Sequence, residues 1–455
     1  MLNLSKDSTI LFNYYDELLK NSDKNLLFVP DNRKTSLYID FQKHIYDILD
    51  NIYDILGKDL DTIHNLRTVY DNKTREYKRL IRKVYNKHFT NNQYIDNKIK
   101  EYIRNKPGSL ITYELPFKAK TITINLIKYS KITPMQLKNV DKLVKNMMAQ
   151  IYLINHLTKN NTCSEDSLNI YIFFTPFKRE LEKSQEKVLG NANANGGFSY
   201  GCVSNGEIIV YRQEEFFKVF SHELLHNYGV DTYIFNFMAQ VKDKNTKEYL
   251  IYNKFLANFN LSRENNLSIQ ESLVEFWGEF FNNVIYSFVY SKSCNIPTYK
   301  QEIRFYIQVF ETVMKFEIIH SFLQTTKILS HNKVNYIDIL STNTNNNNNN
   351  NNNKPVYREN THIFSYYILK LYILFGYKEF INSQISLKRE NRLFFNNSLQ
   401  NMQNFFNYMV SVSKNSYLLQ NIKFMREVYV SIRVLKTKNL NFLLNNLRMS
   451  VLEYY

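Results

Sequence analysis

Residues 219–229, Val-Phe-Ser-His-Glu-Leu-Leu-His-Asn-Tyr-Gly, set two histidines one helical turn apart with an acid beside the first. The chain spends only 9 histidines on 455 residues, so the pairing is conspicuous. On a helix His222 and His226 share one face, where two imidazoles can bind a single Zn²⁺ while Glu223 takes a proton from a water activated there. Val219, Phe220, Leu224, Leu225, Asn227 and Tyr228 keep the turn free of further charge, as a metal helix set in a cleft requires. The competing reading is a satisfied histidine pair on an ordinary buried helix. Zinc needs at least one more protein ligand to complete the site.

The elements that must hold these residues can be read from periodicity. Residues 214–228 form one helical stretch, which Gly229 can close with a left-handed cap. Ahead of it, residues 110–115 and 120–129 alternate as strands, 133–157 make a long helix starting at Pro134, and 168–176 make a buried strand. Asn205-Gly206, between two strand-like runs within 191–212, predicts a tight hairpin turn. Residues 1–108 read as a helical N-terminal region, with apolar repeats at 10–20, 41–56 and 72–88. In the last of these Lys78, Arg79, Arg82 and Lys83 surround a stripe of Ile81, Val84 and Tyr85. That pattern suits a solvated face of a packed helix, with an anionic partner as the alternative. Residues 231–455 read as a mostly helical lobe, broken by nine asparagines at 345–353 that predict a disordered surface loop over 342–354.

The His-Glu-x-x-His stretch and the strand–helix–strand–hairpin–helix order before it resemble the zincin metallopeptidases over residues 110–290. The resemblance implies an α+β fold: a zincin-like lobe at 109–230, with a small mixed sheet and an active-site helix, flanked by helical regions. Metzincins place a third histidine six residues after the second, but that position is Thr232 here, with Asp231 one residue early. The gluzincin branch, in which a glutamate from a later helix completes the site, is the better match. Residues 268–281, SIQESLVEFWGEFF, offer it: Glu271, Glu275 and Gly278 share one narrow face opposite Leu273, Phe276, Trp277 and Phe280. The resemblance makes Glu271 the third ligand and Glu275 the acid orienting His222 or His226. Ser268-x-x-Glu271 is also a capping box, in which case Glu275 becomes the ligand with Glu279 behind it. Gly278 costs about 1 kcal/mol relative to alanine in mid-helix, which close approach of the metal helix would justify.

The family's chemistry follows from the same resemblance. One Zn²⁺ per chain, with Glu223 as general base, hydrolyses a peptide or protein substrate lying antiparallel to an edge strand. Gly196, Gly197, Phe198 and Ser199 are the candidates for that edge, the glycine pair letting a substrate backbone come close. Oxyanion donors in such enzymes are His or Tyr from the C-terminal lobe, and His320, His331, Tyr366 and Tyr367 are available, the two tyrosines reading more readily as core.

Composition bounds the alternatives. A net charge of +16, from 58 Lys+Arg against 42 Asp+Glu, suits a polyanion partner, but abundant Asn, Lys, Ile and Tyr point to an AT-rich genome, as in large DNA viruses. No motif of the known nucleic-acid readers accompanies the charge, so no specific nucleic acid is expected. Two other readings stand beside the peptidase: a catalytically inactive zincin scaffold and a basic polyanion-binding protein. Cys163, Cys202 and Cys294 are odd in number and widely spaced, which points to a cytoplasmic or other reducing compartment, or a virion. The first twenty residues lack a secretory pattern, and the most apolar stretch, 363–377, carries Lys370 and is too short to span a bilayer.

Overall fold

The computed structural model describes residues 3–21, 36–58, 63, 65–130, 132–158, 163–261, 267–341, 357–384, 398–435 and 440–454. The asparagine-rich loop expected at 342–354 lies outside them. The first elements are α1 (Lys6–Asn21), α2 (Ser36–Lys58), β1 (Arg67–Tyr70), α3 (Arg75–His88) and α4 (Asn97–Asn105). Next come β2 (Ser109–Phe117), β3 (Lys120–Lys128), α5 (Pro134–Leu157), β4 (Ser167–Phe174), α6 (Asn191–Ala194), β5 (Gly197–Ser199), β6 (Asn205–Val210) and α7 (Phe216–Asn227). The helical remainder is α8 (Thr232–Gln240), α9 (Lys247–Leu256), α10 (Ile269–Lys292), α11 (Tyr299–His331), a π-helical turn (Phe364–Leu369) running into α12 (Lys370–Phe375), α13 (Tyr377–Gln384), α14 (Leu399–Ser413), α15 (Ser416–Leu435) and α16 (Asn441–Asn445).

The fold is α+β, built on one open mixed sheet of order β1-β2-β3-β4-β6-β5. Strands β3, β4 and β6 are parallel, and β1, β2 and β5 complete the sheet through antiparallel pairs. Period-two alternation gives the sheet two apolar faces. Ile122, Ile124, Ile170, Ile172, Ile208 and Val210 point into the main core with α5 and α7. Ile127, Tyr171, Phe173 and Ile209 point the other way, onto Tyr77 and Val84 of α3 and Ile99 and Ile103 of α4. Thr133 and Gln136 form a capping box that starts α5 at Pro134.

Two expectations change here. Residues 67–70 belong to a strand, not to a helical region: Arg67–Tyr70 pair with Tyr113–Leu110 at the sheet edge. The hairpin exists, with Gly197 opposite Val210, but Asn205 and Gly206 are not its turn. They open β6 and pair in parallel with Ser167 and Leu168, the connection being residues 200–204. A Cβ on Gly206 would fall 2.0 Å from Ser164 Oγ and 2.8 Å from the Asn227 amide, so close packing rather than a left-handed turn demands glycine there.

The cysteines also differ from expectation. Parallel β4 and β6 are neighbours, and this brings Cys163, ahead of β4, and Cys202, ahead of β6, into a disulfide; Cys294 is free and exposed. Among the described residues no helix is long and apolar enough to cross a membrane.

Candidate metal centre

Helix α7 is fixed at both ends before any ligand is considered. Its first turn follows Glu215, a left-handed non-glycine residue at φ 54°. The buried Glu215 carboxylate accepts from Arg179 Nη1 at 2.6 Å and from the backbone of Met449 and Ser450, so a buried segment, residues 446–454, braces the helix start. At the other end Gly229 takes φ 68°, with Gly229 N–H donating to His226 O and Val230 N–H to Leu225 O, a Schellman turn. The disulfide lies against that turn: a Cβ on Gly229 would meet Cys163 Sγ at 3.2 Å.

The structure brings His222, His226 and Glu271 together. Their Nε2, Nε2 and Oε2 atoms form a triangle: His222 to His226 3.1 Å, His222 to Glu271 3.3 Å and His226 to Glu271 3.4 Å. Tetrahedral zinc with bonds of about 2.0–2.2 Å needs ligand atoms about 3.3 Å apart, so the triangle matches one face of that coordination. The far side of each imidazole faces a carboxylate. His226 Nδ1 is 2.8 Å from Asp231 Oδ2, and His222 Nδ1 is 2.9 Å from Glu275 Oε2, the latter off hydrogen-bond alignment. Protons on both Nδ1 atoms leave two Nε2 lone pairs and a carboxylate aimed at one point, a set that fits a divalent cation.

Of the candidate third ligands, Glu271 is the one placed beside both histidines. Ser268 makes no side-chain cap, and its N–H donates to Ser365 Oγ, so Glu271 is not engaged in a capping box. Glu275 is taken by His222 and by the buried ammonium of Lys218, while Glu279 pairs with Lys370 at 2.7 Å, away from the triangle. Gly278 does face α7, as its position suggested: a Cβ there would lie 3.1 Å from His222 N, Cα and Cβ.

Electrostatics follow the same geometry. Burial works against ionisation of Glu271, but His226 and His222 outweigh it and hold the carboxyl well below the usual range. Glu223 moves the other way, raised by burial despite the nearby histidines. Ser199 Oγ donates to Glu223 Oε2 at 3.0 Å, tying the candidate base to β5.

A cleft of about 770 Å³ opens over the triangle, lined on one side by Asn195–Cys202 and on the other by Gln270, Glu271, His362 and Tyr366. Gly196, Gly197, Phe198 and Ser199 line it, the last three forming edge strand β5. The glycines, however, answer to crowding from behind. A Cβ on Gly197 would meet Val219 Cγ1 at 2.8 Å and Glu223 Cγ at 3.1 Å, and one on Gly196 would meet Arg179 Nη2 at 2.4 Å.

Of the four oxyanion candidates, three are committed elsewhere. His320 bonds Tyr15 and Arg448 O, His331 bonds Lys187 O, and Tyr367 donates to Leu447 O. Tyr366 alone reaches the cleft, its ring 6.4 Å from that of His222. Burial, then the charges of Glu271 and Glu223, push its hydroxyl well above the ordinary tyrosine value. It rides on the π-helical turn, a form that recurs at functional sites. Sequence reasoning missed Lys218 and the contact of Asp231 with His226 Nδ1. Lys218, one turn before His222 on the same face, carried a legible signal; Asp231, beyond the helix cap, carried none. No protein-family model, curated protein or solved structure matches the chain.

Proposed function

We propose that the chain is a zinc-dependent metallopeptidase of the zincin type, with Glu223 as general base. The observation that carries this reading is the triangle of His222, His226 and Glu271, both imidazoles backed by carboxylates, at the floor of a cleft edged by β5. Zinc would supply Lewis acidity toward a water and a substrate carbonyl. Glu223 accepts the proton of the attacking water and passes it to the leaving amine, a role suited to a buried carboxylate with a raised affinity for protons. β5 pairs only with β6 among the described residues, leaving its other edge for an extended peptide running antiparallel to it. Tyr366 donates its hydroxyl to the developing oxyanion from the far wall. The test is mass-spectrometric profiling of a peptide mixture with the zinc-loaded chain. Cleavage that chelation abolishes and zinc restores is expected; a fully loaded protein that cleaves nothing would assign the fold to a non-catalytic scaffold.

A further inference from the structure

The surface charge is not spread evenly. Residues 71–106 hold 11 Lys and Arg against 4 Asp and Glu, so 36 residues account for +7 of the chain's +16. An AT-rich codon bias would dilute lysine through the whole chain and gives no reason for this concentration. Within it, Arg75, Arg79, Lys83 and Lys87 repeat at four-residue steps along α3, so they form one stripe down a single face, and all four are exposed. Like charges at that spacing weaken a helix, and a face that only had to be soluble could alternate their sign. Arg75, Arg79 and Lys83 have no carboxylate partner among the described residues.

One end of the stripe lies beside elements that line the cleft. Its last member, Lys87, pairs with Glu207 of β6 at 2.5 Å, and the next residue, His88, is bonded to the hydroxyl of Tyr200 at 3.1 Å. Tyr200 directly follows β5. The connection from α3 to α4 then supplies Asn92 and Tyr94 to the cleft lining, with Tyr94 57% exposed at the rim. A peptide antiparallel to β5 has its N-terminal side at the Ser199–Tyr200 end, the end that the His88–Tyr200 bond ties to the last turn of α3. From Lys87 to Arg75 the helix rises about 18 Å, the length of some five or six extended residues at about 3.3 Å each.

We infer that the α3 stripe is a docking surface for an acidic segment of the polypeptide substrate, lying on the N-terminal side of the scissile bond. This rests on the peptidase reading and names its substrate class. A polypeptide is favoured over a nucleic acid because the stripe is continuous with the edge that would hold the peptide.

The experiment uses the full chain and two labelled peptides that share one cleavable core. They differ only in four residues upstream of the cleaved bond, Asp and Glu in one and Asn and Gln in the other. The acidic peptide should show a KM roughly tenfold lower with kcat unchanged, as binding uniform to ground and transition states requires. The gap should close between about 50 mM and about 500 mM salt. It should also close in Arg79→Glu/Lys83→Glu, where the new acids stand next to Arg75 and Lys87 at helix-supporting spacing, so the helix is retained. Lys300→Glu/Lys423→Glu, with the same charge change elsewhere, should behave as wild type. Equal KM values for the two peptides, or equal loss in both double variants, overturns the assignment. Fluorescence anisotropy of the same peptides on Glu223→Gln reads docking without hydrolysis: acidic-peptide binding lost in the α3 variant supports the surface even if no peptide is cut. A DNA oligonucleotide of equal charge that displaces the acidic peptide far more tightly would give the stripe to nucleic acid and overturn the proposal.

Discussion

Gly278 and His222 touch backbone to side-chain base: a Cβ added to Gly278 would lie 3.1 Å from His222 N, Cα and Cβ. This contact sets the separation of α7 and α10, and with it the distance from the histidine pair to Glu271 two turns earlier on α10. Alanine usually gains about 1 kcal/mol over glycine in mid-helix. Here Gly278→Ala should instead push the helices apart by a few tenths of an ångström and weaken zinc binding on the order of tenfold. Chelator competition and thermal melting check it; a higher melting temperature with unchanged zinc affinity would refute the packing argument.

Metal analysis of the purified chain should give one zinc per molecule. His222→Ala and Glu271→Ala should each lose it, since the remaining ligands cannot close the triangle. Chelation should lower the melting temperature of the wild type, because zinc binds only the folded arrangement. Stoichiometric iron in its place would redirect the chemistry, since two histidines and a carboxylate also suit ferrous iron.

The carboxylates behind the histidines give a graded test. Asp231→Asn and Glu275→Gln keep size but remove the charge that favours a proton on each Nδ1. Each should cost about 10- to 100-fold in zinc affinity with the fold retained by circular dichroism. Unchanged affinity in both would mean that the carboxylates do not set the tautomers.

Much of this was legible in the sequence, and the misses have physical causes. Strands β2, β3 and β4 and helices α5 and α7 follow from period and caps, because each buries one face or both against neighbours close in the chain. His222, Glu223 and His226 are legible because one helix presents all three. Glu271 could be separated from Glu275 only in three dimensions, where Lys218 claims the second acid. Asn205-Gly206 misled because glycine answers a turn and a close contact alike. The disulfide depends on β4 and β6 being neighbours, a property of strand order that spacing does not encode. The part of the cleft lining that carries Tyr366 comes from a segment about 140 residues after α7, and only packing selects it from four candidates.

Lys327 offers a pH test remote from the metal. It is fully buried, its Nζ donating to Leu443 O and Asn446 O at 2.5 Å each, and burial lowers its pKa from 10.5 to about 7. Because the folded value lies below the unfolded one, the unfolded state binds more protons between those limits. Stability from this group is therefore complete above about pH 10 and is lost as pH falls toward 7, by up to about 1.4 kcal/mol per pH unit. Lys327→Met should remove that slope, so its melting temperature relative to wild type should be most favourable near pH 7 and fall toward pH 10. A difference independent of pH would show that the lysine is charged in the fold throughout.

The final prediction separates catalysis from metal binding through Glu223, which accepts from Ser199 and is not a member of the His222–His226–Glu271 cluster. Glu223→Gln keeps the side-chain volume under Gly197 and the acceptor for Ser199, so the cleft and the zinc should survive. What it removes is a proton acceptor held between β5 and the histidine pair. Loss of a positioned general base costs about 10² to 10⁴ in rate. Wild type and Glu223→Gln should therefore be compared at equal zinc content on the same peptides, following kcat and KM separately. A fall in kcat of that size with KM little changed is expected of a general base, which would act on the water and not on substrate binding. Equal turnover in both proteins would place the chemistry elsewhere, and a variant that loses its zinc would make Glu223 part of the metal site rather than its base.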